Sequence, residues 1–313
     1  MKKILVTGAA GFIPSSLIDK LLLEEQNFVV GIDNLLTGNK CNLNSACEDP
    51  RFTFIKADAN SFEDMSPILS SNSFDYIFHY AAVVGVQRTL ANPLLVLQDI
   101  NGINNILLLA KNTCLKRIFF SSSSEVYGEP VEIPQNELTT PLNSRLPYAI
   151  VKNVGEAFIK AYQQEHGLDY TIFRFFNTYG FRQSTDFVLS KFIRNALKGE
   201  DITVYGDGTQ TRTFCYIDDN VDTTIKCLDK NIGINQVFNI GSDIEISIKK
   251  LAELVISITS SSSKIIHLPP LEDGDMRRRC PDNSLMMDIL GRPLYKLEDG
   301  IKEILKNLRN YNK

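Results

Sequence analysis

Two short stretches of the sequence combine residue types that can move protons. The first, SSSSEVYG (121–128), places four hydroxyls and the carboxylate of Glu125 directly after the apolar run RIFF. The second, YAIVK, places Tyr148 and Lys152 one turn apart on one face of a helix. A neighbouring ammonium lowers the pKa of a phenol, so such a tyrosine can act as a base toward a substrate hydroxyl. On its own, this spacing also occurs on packed helices with a solvated lysine.

A glycine turn near the N-terminus has the form of a phosphate-binding loop. The segment GAAGFIP (8–14) follows the apolar run KKILVT and precedes SSLIDKLL. Gly8 and Gly11 would let backbone N–H groups approach a pyrophosphate at a helix N-terminus. Pro14 stands where a third glycine is usual, and proline is tolerated in the first turn of a helix. Asp33 ends the next β-rich run and would accept from ribose hydroxyls, which favours NAD over NADP.

The elements that must position these residues are short β-rich runs alternating with helical patterns. The runs lie at 2–8, 28–33, 52–58, 76–82, 117–123 and 170–176, and the helical patterns at 15–25, 92–112 and 148–165. Uniformly apolar strands separated by helices predict a Rossmann-type, doubly wound α/β fold with a parallel sheet. Ligands are then expected outside the carboxyl ends of the strands.

Beyond residue 180 the alternating pattern loosens. Helices are predicted at 187–198, 247–258 and 297–308, and strands near 202–206, 214–219 and 237–241. We therefore predict an NAD-binding domain over residues 1–180, which carries the catalytic residues, and a smaller C-terminal α/β lobe over 181–313. The lobe would bind the substrate and close over it.

The composition argues against several other classes of protein. The chain of 313 residues has a net charge of −4 and no basic block, so nucleic acid is not an expected partner. No uncharged apolar run of membrane-spanning length is evident, and MKKILVTGAAGF does not build a signal peptide. The six cysteines form no CxxC pair, which indicates reduced thiols and no metal site. These features predict a cytoplasmic protein without a membrane partner.

The ordered motifs resemble those of the extended short-chain dehydrogenase/reductase family, the NAD-dependent nucleotide-sugar epimerases and dehydratases. The resemblance runs from Met1 to about Gly300 and rests on TGAAGFI, DNLLTGN, KADANS, HYAA, SSSSEVYG, YAIVK, RFFNTYG, VYGDGTQTRTFCYIDD, FNIGS and GDMRRRCPD. It implies tightly held NAD, a Ser/Thr–Tyr–Lys triad and a nucleoside diphosphate sugar, with a UDP-sugar favoured. It also implies a homodimer formed through the helices at 92–112 and 148–165.

The resemblance assigns roles to individual residues. Ser123 takes the triad hydroxyl position, Tyr148 removes the proton of the sugar 4-hydroxyl, and Lys152 binds nicotinamide ribose. The predicted catalytic set is Ser123, Ser124, Glu125, Tyr148 and Lys152. The predicted cofactor-binding set is Gly8, Gly11, Phe12, Ile13, Asp33, Asn34, Asp58, Ala59, Ala81, Ala82, Tyr148 and Lys152.

The resemblance also indicates a set of substrate-binding residues. Asn177 would hold the substrate near its diphosphate, and Arg212 resembles the family's phosphate-binding arginine. One of Arg277 to Arg279 would supply a second arginine, because the planar guanidinium pairs bidentately with phosphate. The full predicted set is Arg88, Asn177, Tyr205, Arg212, Arg277 and Arg279. Three residues depart from the family pattern, namely Pro14 for glycine, Asp99 for asparagine and Phe181 for proline.

Glu125 bears on which reaction of the family is expected. Simple 4-epimerases usually carry small neutral residues after the triad hydroxyl, whereas 4,6-dehydratases carry Thr-Asp-Glu or Thr-Ser-Glu, and UDP-glucuronate decarboxylases carry Thr-Ser-Glu. The triplet Ser123-Ser124-Glu125 therefore favours a dehydratase in which Glu125 removes the C5 proton. A solvent-facing or turn-capping glutamate is the alternative role.

Three alternatives to a dehydratase remain. A UDP-sugar 4-epimerase is the first alternative, because AAVVGVQRTLANP (81–93) is closer to epimerase-like sequences. A UDP-glucuronate decarboxylase is the second. The third, a non-catalytic NAD-sensing protein, fits poorly with an intact set of Ser123, Tyr148 and Lys152.

Overall fold

The computed structural model describes residues 1–270 and 278–311, which form two compact units. The N-terminal unit comprises Met1–Val126, Ser144–Arg174 and Val221–Phe238, and the C-terminal unit comprises Tyr127–Asn143, Phe175–Asn220 and Asn239–Lys313. The sequence analysis predicted a single boundary at residue 180, whereas each of these units is made of three separate segments. Residues 127–143 pack with the C-terminal unit, and residues 221–238 pack with the N-terminal unit.

The first half of the chain alternates strands and helices as predicted. In chain order its elements are β1 Lys2–Thr7, α1 Phe12–Leu21, β2 Asn27–Asp33, α2 Asn44–Cys47, β3 Phe52–Lys56, α3 Phe62–Ser70, β4 Tyr76–His79, α4 Val86–Ala91, α5 Pro93–Leu97, α6 Asp99–Ala110, β5 Arg117–Ser123, α7 Pro147–His166 and β6 Tyr170–Phe175. Short 3-10 helices cover Lys40–Leu43 and Ser124–Tyr127. All six predicted strands of this half are confirmed.

The rest of the described chain has shorter strands. Its elements are β7 Thr178–Tyr179, α8 Val188–Lys198, β8 Ile202–Tyr205, β9 Thr211–Thr213, β10 Cys215–Tyr216, α9 Ile217–Asp229, β11 Gln236–Ile240, β12 Glu245–Ser247, α10 Ile248–Thr259, β13 Ile265–Leu268, α11 Ser284–Leu290 and α12 Leu297–Tyr311. Three two-stranded sheets pair β10 with β7, β12 with β9 and β13 with β8.

A seven-stranded sheet with the order β11-β6-β5-β4-β1-β2-β3 confirms the Rossmann-type fold. The pairs β1–β2, β2–β3, β1–β4 and β4–β5 are parallel. The order reverses between β1 and β4, and ligands of doubly wound sheets bind at such a point, outside the carboxyl ends of the strands. The predicted phosphate loop follows β1, and the serine-rich stretch ends β5.

Two predicted elements differ in the structure, and some observed elements were not predicted. The single helix expected at 92–112 is divided into α5 and α6, which separate at Gln98. The strand expected at 214–219 stops at Tyr216, because Asp218 and Asp219 occupy the first turn of α9, where carboxylates are favoured by the helix dipole. Helix α3 was not predicted, although Ser61 caps it by accepting from the backbone N–H of Asp64 (3.1 Å).

The helical stretch Pro93–Ala110 is largely apolar but contains the charged residue Asp99. Within the described residues it is the one helical stretch long and apolar enough to cross a membrane, by length and composition alone. A buried core helix of a globular protein can meet the same criterion of length and composition. Ile103, Ile106 and Leu107 of this stretch are buried in the apolar core of the N-terminal unit.

A buried ion pair joins α7, β5 and β6. Glu156 accepts from Arg174 Nε (2.9 Å) and Nη2 (2.7 Å) and from Ser122 Oγ (2.6 Å). Burial raises the pKa of Glu156, but Arg174 and Ser122 lower it by more, so its pKa lies below the ordinary value. A depressed folded-state pKa contributes stability above the unfolded pKa, and this contribution is lost as the pH falls.

Removing the charge of Glu156 is expected to destabilise the fold strongly. Glu156→Gln leaves the Arg174 guanidinium buried without its counter-charge, so the free energy of unfolding should fall by about 3 kcal/mol. Lys160→Gln is the matched control, because half-exposed Lys160 contacts the same carboxylate (3.6 Å) and contributes at most about 0.5 kcal/mol. Urea titration measures both variants. If both variants lost the same free energy of unfolding, the buried Glu156–Arg174 pair would contribute no more to stability than the exposed contact with Lys160.

Candidate active site

The turn between β1 and α1 has the geometry of a phosphate-binding loop. Gly8 has a φ of 71°, and a Cβ there would lie 2.8 Å from the Cα of Ala81. The N–H of Gly11 donates to the carbonyl of Gly8 (2.8 Å), and α1 starts at Phe12. Pro14 falls in the first turn, where backbone N–H groups have no partner within the helix, so it does not interrupt α1. The loop therefore tolerates this departure from the family pattern.

Asp33 is buried at the carboxyl end of β2 and faces the same loop. Its Oδ2 accepts from the N–H of Ala10 (3.0 Å), and its Oδ1 accepts from the N–H of Leu35 (2.7 Å). Burial raises the pKa of Asp33, and these two N–H groups oppose the rise. A Cβ on Gly38 would come within 2.8 Å of both carboxylate oxygens, so only glycine fits there. Each oxygen keeps a lone pair for a ribose hydroxyl.

The residues after β3 lie beside this carboxylate. Asn34 Nδ2 donates to Asp58 Oδ2 (3.1 Å), and the N–H of Asn60 donates to Asp58 Oδ1 (2.9 Å). The charge of Asp58 also raises the pKa of Asp33. Asn34 and Asp58, both predicted to bind the cofactor, thus form one cluster with Asp33 outside the carboxyl ends of β2 and β3. Buried Ala59 follows Asp58 in the same loop.

The four serines of SSSSEVYG have different surroundings. Ser121 Oγ donates to the carbonyl of His79 (3.4 Å), whereas Ser122 belongs to the Glu156 ion pair. Ser123 ends β5, and its Oγ accepts from the N–H of Glu125 (3.2 Å). Ser124 starts the 3-10 helix that follows. Ser123 and Ser124, both buried, are therefore the two serines at the end of the strand next to Glu125.

Tyr148 and Lys152 lie as the spacing predicts. Lys152 is 3% exposed, and its Nζ is 5.8 Å from the centre of the Tyr148 ring and 5.0 Å from that of Phe120. The same Nζ donates to Ser121 Oγ (3.4 Å). Burial lowers the pKa of Lys152 to about 8. The ammonium is therefore largely charged at neutral pH, and it lies beside half-buried Tyr148.

His79, which the sequence analysis did not single out, holds the end of β4. Thr7 Oγ1 accepts from the N–H groups of Tyr80 (3.1 Å) and Ala81 (3.0 Å), so its own proton is directed to His79 Nδ1 (2.9 Å). Burial lowers the pKa of His79 to about 3, and the ring is neutral. Thr7, oriented by His79, thereby fixes the backbone that packs against Gly8. Its position in HYAA, directly before the two predicted cofactor-binding alanines, was the available signal.

Glu125 lies in the 3-10 helix directly after the triad serine. The residue is half-buried, and its Oε2 is shielded from solvent. This placement differs from that of a glutamate that only faces water. A carboxylate so placed can take a proton from carbon and return it to a leaving oxygen.

In the C-terminal unit, Asn177 combines a positive φ with a buried side-chain amide. It follows β6 with a φ of 36°, and its carbonyl accepts from the N–H of Cys215 (3.3 Å). Its Nδ2 is buried and, within the described part of the chain, has no hydrogen-bond partner. A buried amide donor of this kind is expected to bind a ligand.

The arginines predicted to bind phosphate belong to two neighbouring segments. Arg212 is central in β9, opposite Ile246 of β12. Glu245 of β12 accepts from Thr211 (2.6 Å) and from Arg278 Nε (2.9 Å), so the segment after residue 277 is tied to this strand pair. Arg278 is thus engaged in an ion pair, whereas Arg279 is buried.

The other three residues predicted to bind substrate are Arg277, Tyr205 and Arg88. Arg277 lies outside the described residues. Tyr205 ends β8, and its carbonyl accepts from Gln210 (3.1 Å). Arg88 belongs to α4 of the N-terminal unit and donates to the carbonyl of Val84 (3.0 Å).

Comparisons with known proteins agree with this geometry. A profile of the NAD dependent epimerase/dehydratase family matches residues 4–241. The chain is 38% identical to UDP-glucuronic acid decarboxylase 3 of Arabidopsis thaliana, over 98% of this chain and 89% of that protein.

Two solved structures resemble the chain closely. The UDP-glucose 4-epimerase of Thermotoga maritima, solved with UDP-glucose, superimposes with a TM-score of 0.92 at 32% identity and covers 99% of this chain and 100% of that one. The dTDP-glucose 4,6-dehydratase of Streptomyces venezuelae, solved with NAD, superimposes with a TM-score of 0.91 at 27% identity and covers 99% and 98%.

The N-terminal unit fits the cofactor that this family uses. The open N-terminus of α1 suits a pyrophosphate, and the carboxylate of Asp33 suits ribose hydroxyls. The chain therefore belongs to the NAD dependent epimerase/dehydratase family and is an NAD-dependent enzyme that modifies nucleotide sugars.

Proposed function

We propose that the enzyme oxidises C4 of a UDP-sugar and then eliminates water across C5–C6, with Glu125 as the C5 base. The observation that carries this proposal is the position of Glu125, half-buried and hydrogen-bonded through its N–H to the triad serine. UDP is favoured because similar proteins include a UDP-glucuronic acid decarboxylase and a UDP-glucose 4-epimerase.

Tyr148 performs the first proton transfer. With Lys152 cationic 5.8 Å from its ring centre, the phenolate form is stabilised and removes the proton of the sugar 4-hydroxyl. Ser123 orients that hydroxyl by hydrogen bonding. The phosphate loop and Asp33 would hold NAD, which would supply the acceptor for the hydride of C4. Lys152 also binds the nicotinamide ribose.

Glu125 performs the second proton transfer. A ketone at C4 acidifies the hydrogen on C5, so a carboxylate placed beside C5 can remove it. Once protonated, Glu125 assists the departure of the C6 hydroxyl as water. The hydride taken from C4 would then return to C6, with a solvent proton entering C5 (a 4,6-dehydratase), or return to C4 (a 5,6-dehydratase), so that the net change is the loss of one water. Asn177, Arg212 and Arg279 would hold the diphosphate, since a buried amide and guanidinium groups suit phosphate oxygens.

Two other reactions of the same 4-keto sugar remain candidates. A 4-epimerase is favoured by the similarity to the Thermotoga maritima enzyme and needs no base beyond Tyr148. A decarboxylase is favoured by the 38% identity to the Arabidopsis thaliana enzyme. In that case C6 would leave as carbon dioxide from a uronic acid.

A panel of nucleotide sugars distinguishes the three reactions. UDP-glucose, UDP-N-acetylglucosamine, UDP-glucuronic acid and dTDP-glucose are incubated separately with the purified enzyme, and products are weighed by mass spectrometry. Loss of water from one substrate is the expected result. Loss of carbon dioxide would indicate the decarboxylase, and an unchanged mass with inverted C4 would indicate the epimerase. The last two results contradict the proposal.

We also propose that the enzyme is a homodimer formed through α5, α6 and α7. These helices expose large apolar side chains that the core does not bury, namely Leu94, Leu97, Leu108 and Ile150. Leu94→Lys should weaken the dimer about tenfold or more, because one buried leucine contributes about 2 kcal/mol.

Leu138→Lys is the control for this substitution, since Leu138 is 91% exposed and lies on none of these helices. Analytical ultracentrifugation at micromolar concentration measures both variants and the wild type. A monomeric wild type, or equal weakening by the two substitutions, would contradict this interface.

A further inference from the structure

Asp99 is a buried carboxylate where the family usually has asparagine. It begins α6 and is 8% exposed. Its Oδ1 accepts from Asn60 Nδ2 (3.1 Å), and its Oδ2 accepts from the N–H of Val83 (2.7 Å). Asn60 is itself oriented, because its Oδ1 accepts from the N–H of Gly102 (3.1 Å). Both Asp99 oxygens thus face donors, which suits an ionised carboxylate and not an amide.

The helix faces that carry Asp99 and Lys152 are in contact. Ile103 lies one turn after Asp99 on α6, and Gly155 lies about one turn after Lys152 on α7. A Cβ on Gly155 would lie 2.9 Å from Ile103 Cδ1, so the two helices touch there. Asp99 and Lys152 therefore belong to contacting faces, and both are buried. In such a site the attraction between opposite charges is only weakly screened.

Asp99 and Lys152 each shift the pKa of the other toward its charged form. Burial lowers the pKa of Lys152, and the charge of Asp99 opposes this. Burial raises the pKa of Asp99, while the Val83 N–H, Asn60 and Lys152 oppose the rise. The other titratable groups near this pair are Tyr148 on α7, neutral His79 at the end of β4, Asp58 beside Asp99, and Glu156, which Arg174 neutralises.

We propose that Asp99 is the counter-charge that keeps buried Lys152 cationic, and that it thereby sets the alkaline limit of proton transfer by Tyr148. Asp99 is a positioning residue, because it acts through Lys152 and not on the reacting atoms. A neutral lysine would no longer stabilise the tyrosine phenolate. Loss of the Asp99 charge would let Lys152 lose its proton at a lower pH, and this narrows the active pH range from the alkaline side. The inference rests on the proposed function, since it concerns the same Tyr148–Lys152 pair.

Asp99→Asn tests the proposal, because it keeps the shape of the side chain and removes its charge. The Lys152 titration is followed by NMR of protein labelled with ¹³C at lysine Cε, and Lys152→Arg assigns the signal. The Lys152 midpoint is expected to fall by about one pH unit. With an active substrate, the alkaline limb of kcat/KM should move in the same direction. The NMR measurement needs no substrate, so it stands even if the proposed reaction is wrong.

Two further variants separate charge from structure. Asp99→Glu keeps the charge but disturbs the hydrogen bonds, so it should lower Tm while leaving the Lys152 midpoint close to that of the wild type. Asp75→Asn removes a carboxylate that also accepts a backbone N–H (Lys3, 2.8 Å) and pairs with Lys116, and it should not move the midpoint. An unchanged midpoint in Asp99→Asn, or equal shifts in Asp99→Asn and Asp99→Glu, would overturn the proposal.

Discussion

Replacement of Tyr148 by phenylalanine is expected to abolish oxidation of the sugar at C4 and every step that follows it. The variant keeps the ring that packs against the core and removes only the phenolic oxygen. Without this oxygen, the proposed acceptor of the 4-hydroxyl proton is missing. Loss of a general base costs about 10²–10⁴-fold in rate. The measurement is the near-ultraviolet absorbance of reduced nicotinamide after mixing with substrate, together with steady-state turnover.

Tyr162→Phe is the matched control for Tyr148→Phe. Tyr162 lies on the same helix, packs partly against the same core and contacts the ring of His166. It is far from Lys152 along α7, so its hydroxyl should be dispensable for oxidation. If Tyr148→Phe retained nicotinamide reduction at the rate of this control, Tyr148 would not be the base.

Glu125→Gln is expected to separate the two proton transfers. Glutamine keeps the size of the side chain and removes its basicity, while Tyr148 and Lys152 are unchanged. The variant should therefore still reduce its bound nicotinamide when given substrate. Release of water should fall by about 10²–10⁴-fold. In deuterated solvent, deuterium should no longer enter C5, which NMR of the recovered sugar measures directly.

Glu129→Gln provides the comparison for Glu125→Gln. Glu129 is exposed and only four residues further along the chain, so the same substitution there should leave turnover unchanged. Turnover of Glu125→Gln within a few-fold of wild type would mean that Glu125 has a structural role. An unchanged substrate mass with inverted C4 would then favour the 4-epimerase.

The sequence by itself determined the features that depend on local geometry. The apolar runs predicted six strands of the main sheet, because a buried parallel strand has no polar face. The four-residue spacing of Tyr148 and Lys152 was sufficient to place them one turn apart, since helix geometry fixes that relation. The glycine turn and Asp33 followed from their positions at strand ends.

Only the tertiary structure decided which distant residues meet. The pairs Ser122–Glu156 and Asn60–Asp99 join residues far apart in sequence, and no periodic pattern encodes such contacts. The same holds for Arg117, which donates to the carbonyl of Ile232 (2.8 Å) within the N-terminal unit that includes residues 221–238. Burial, which shifts the pKa of Lys152, likewise depends on how helices and strands pack around a side chain. Sequence thus predicted which residues react, whereas packing determines the charge states of the buried ones.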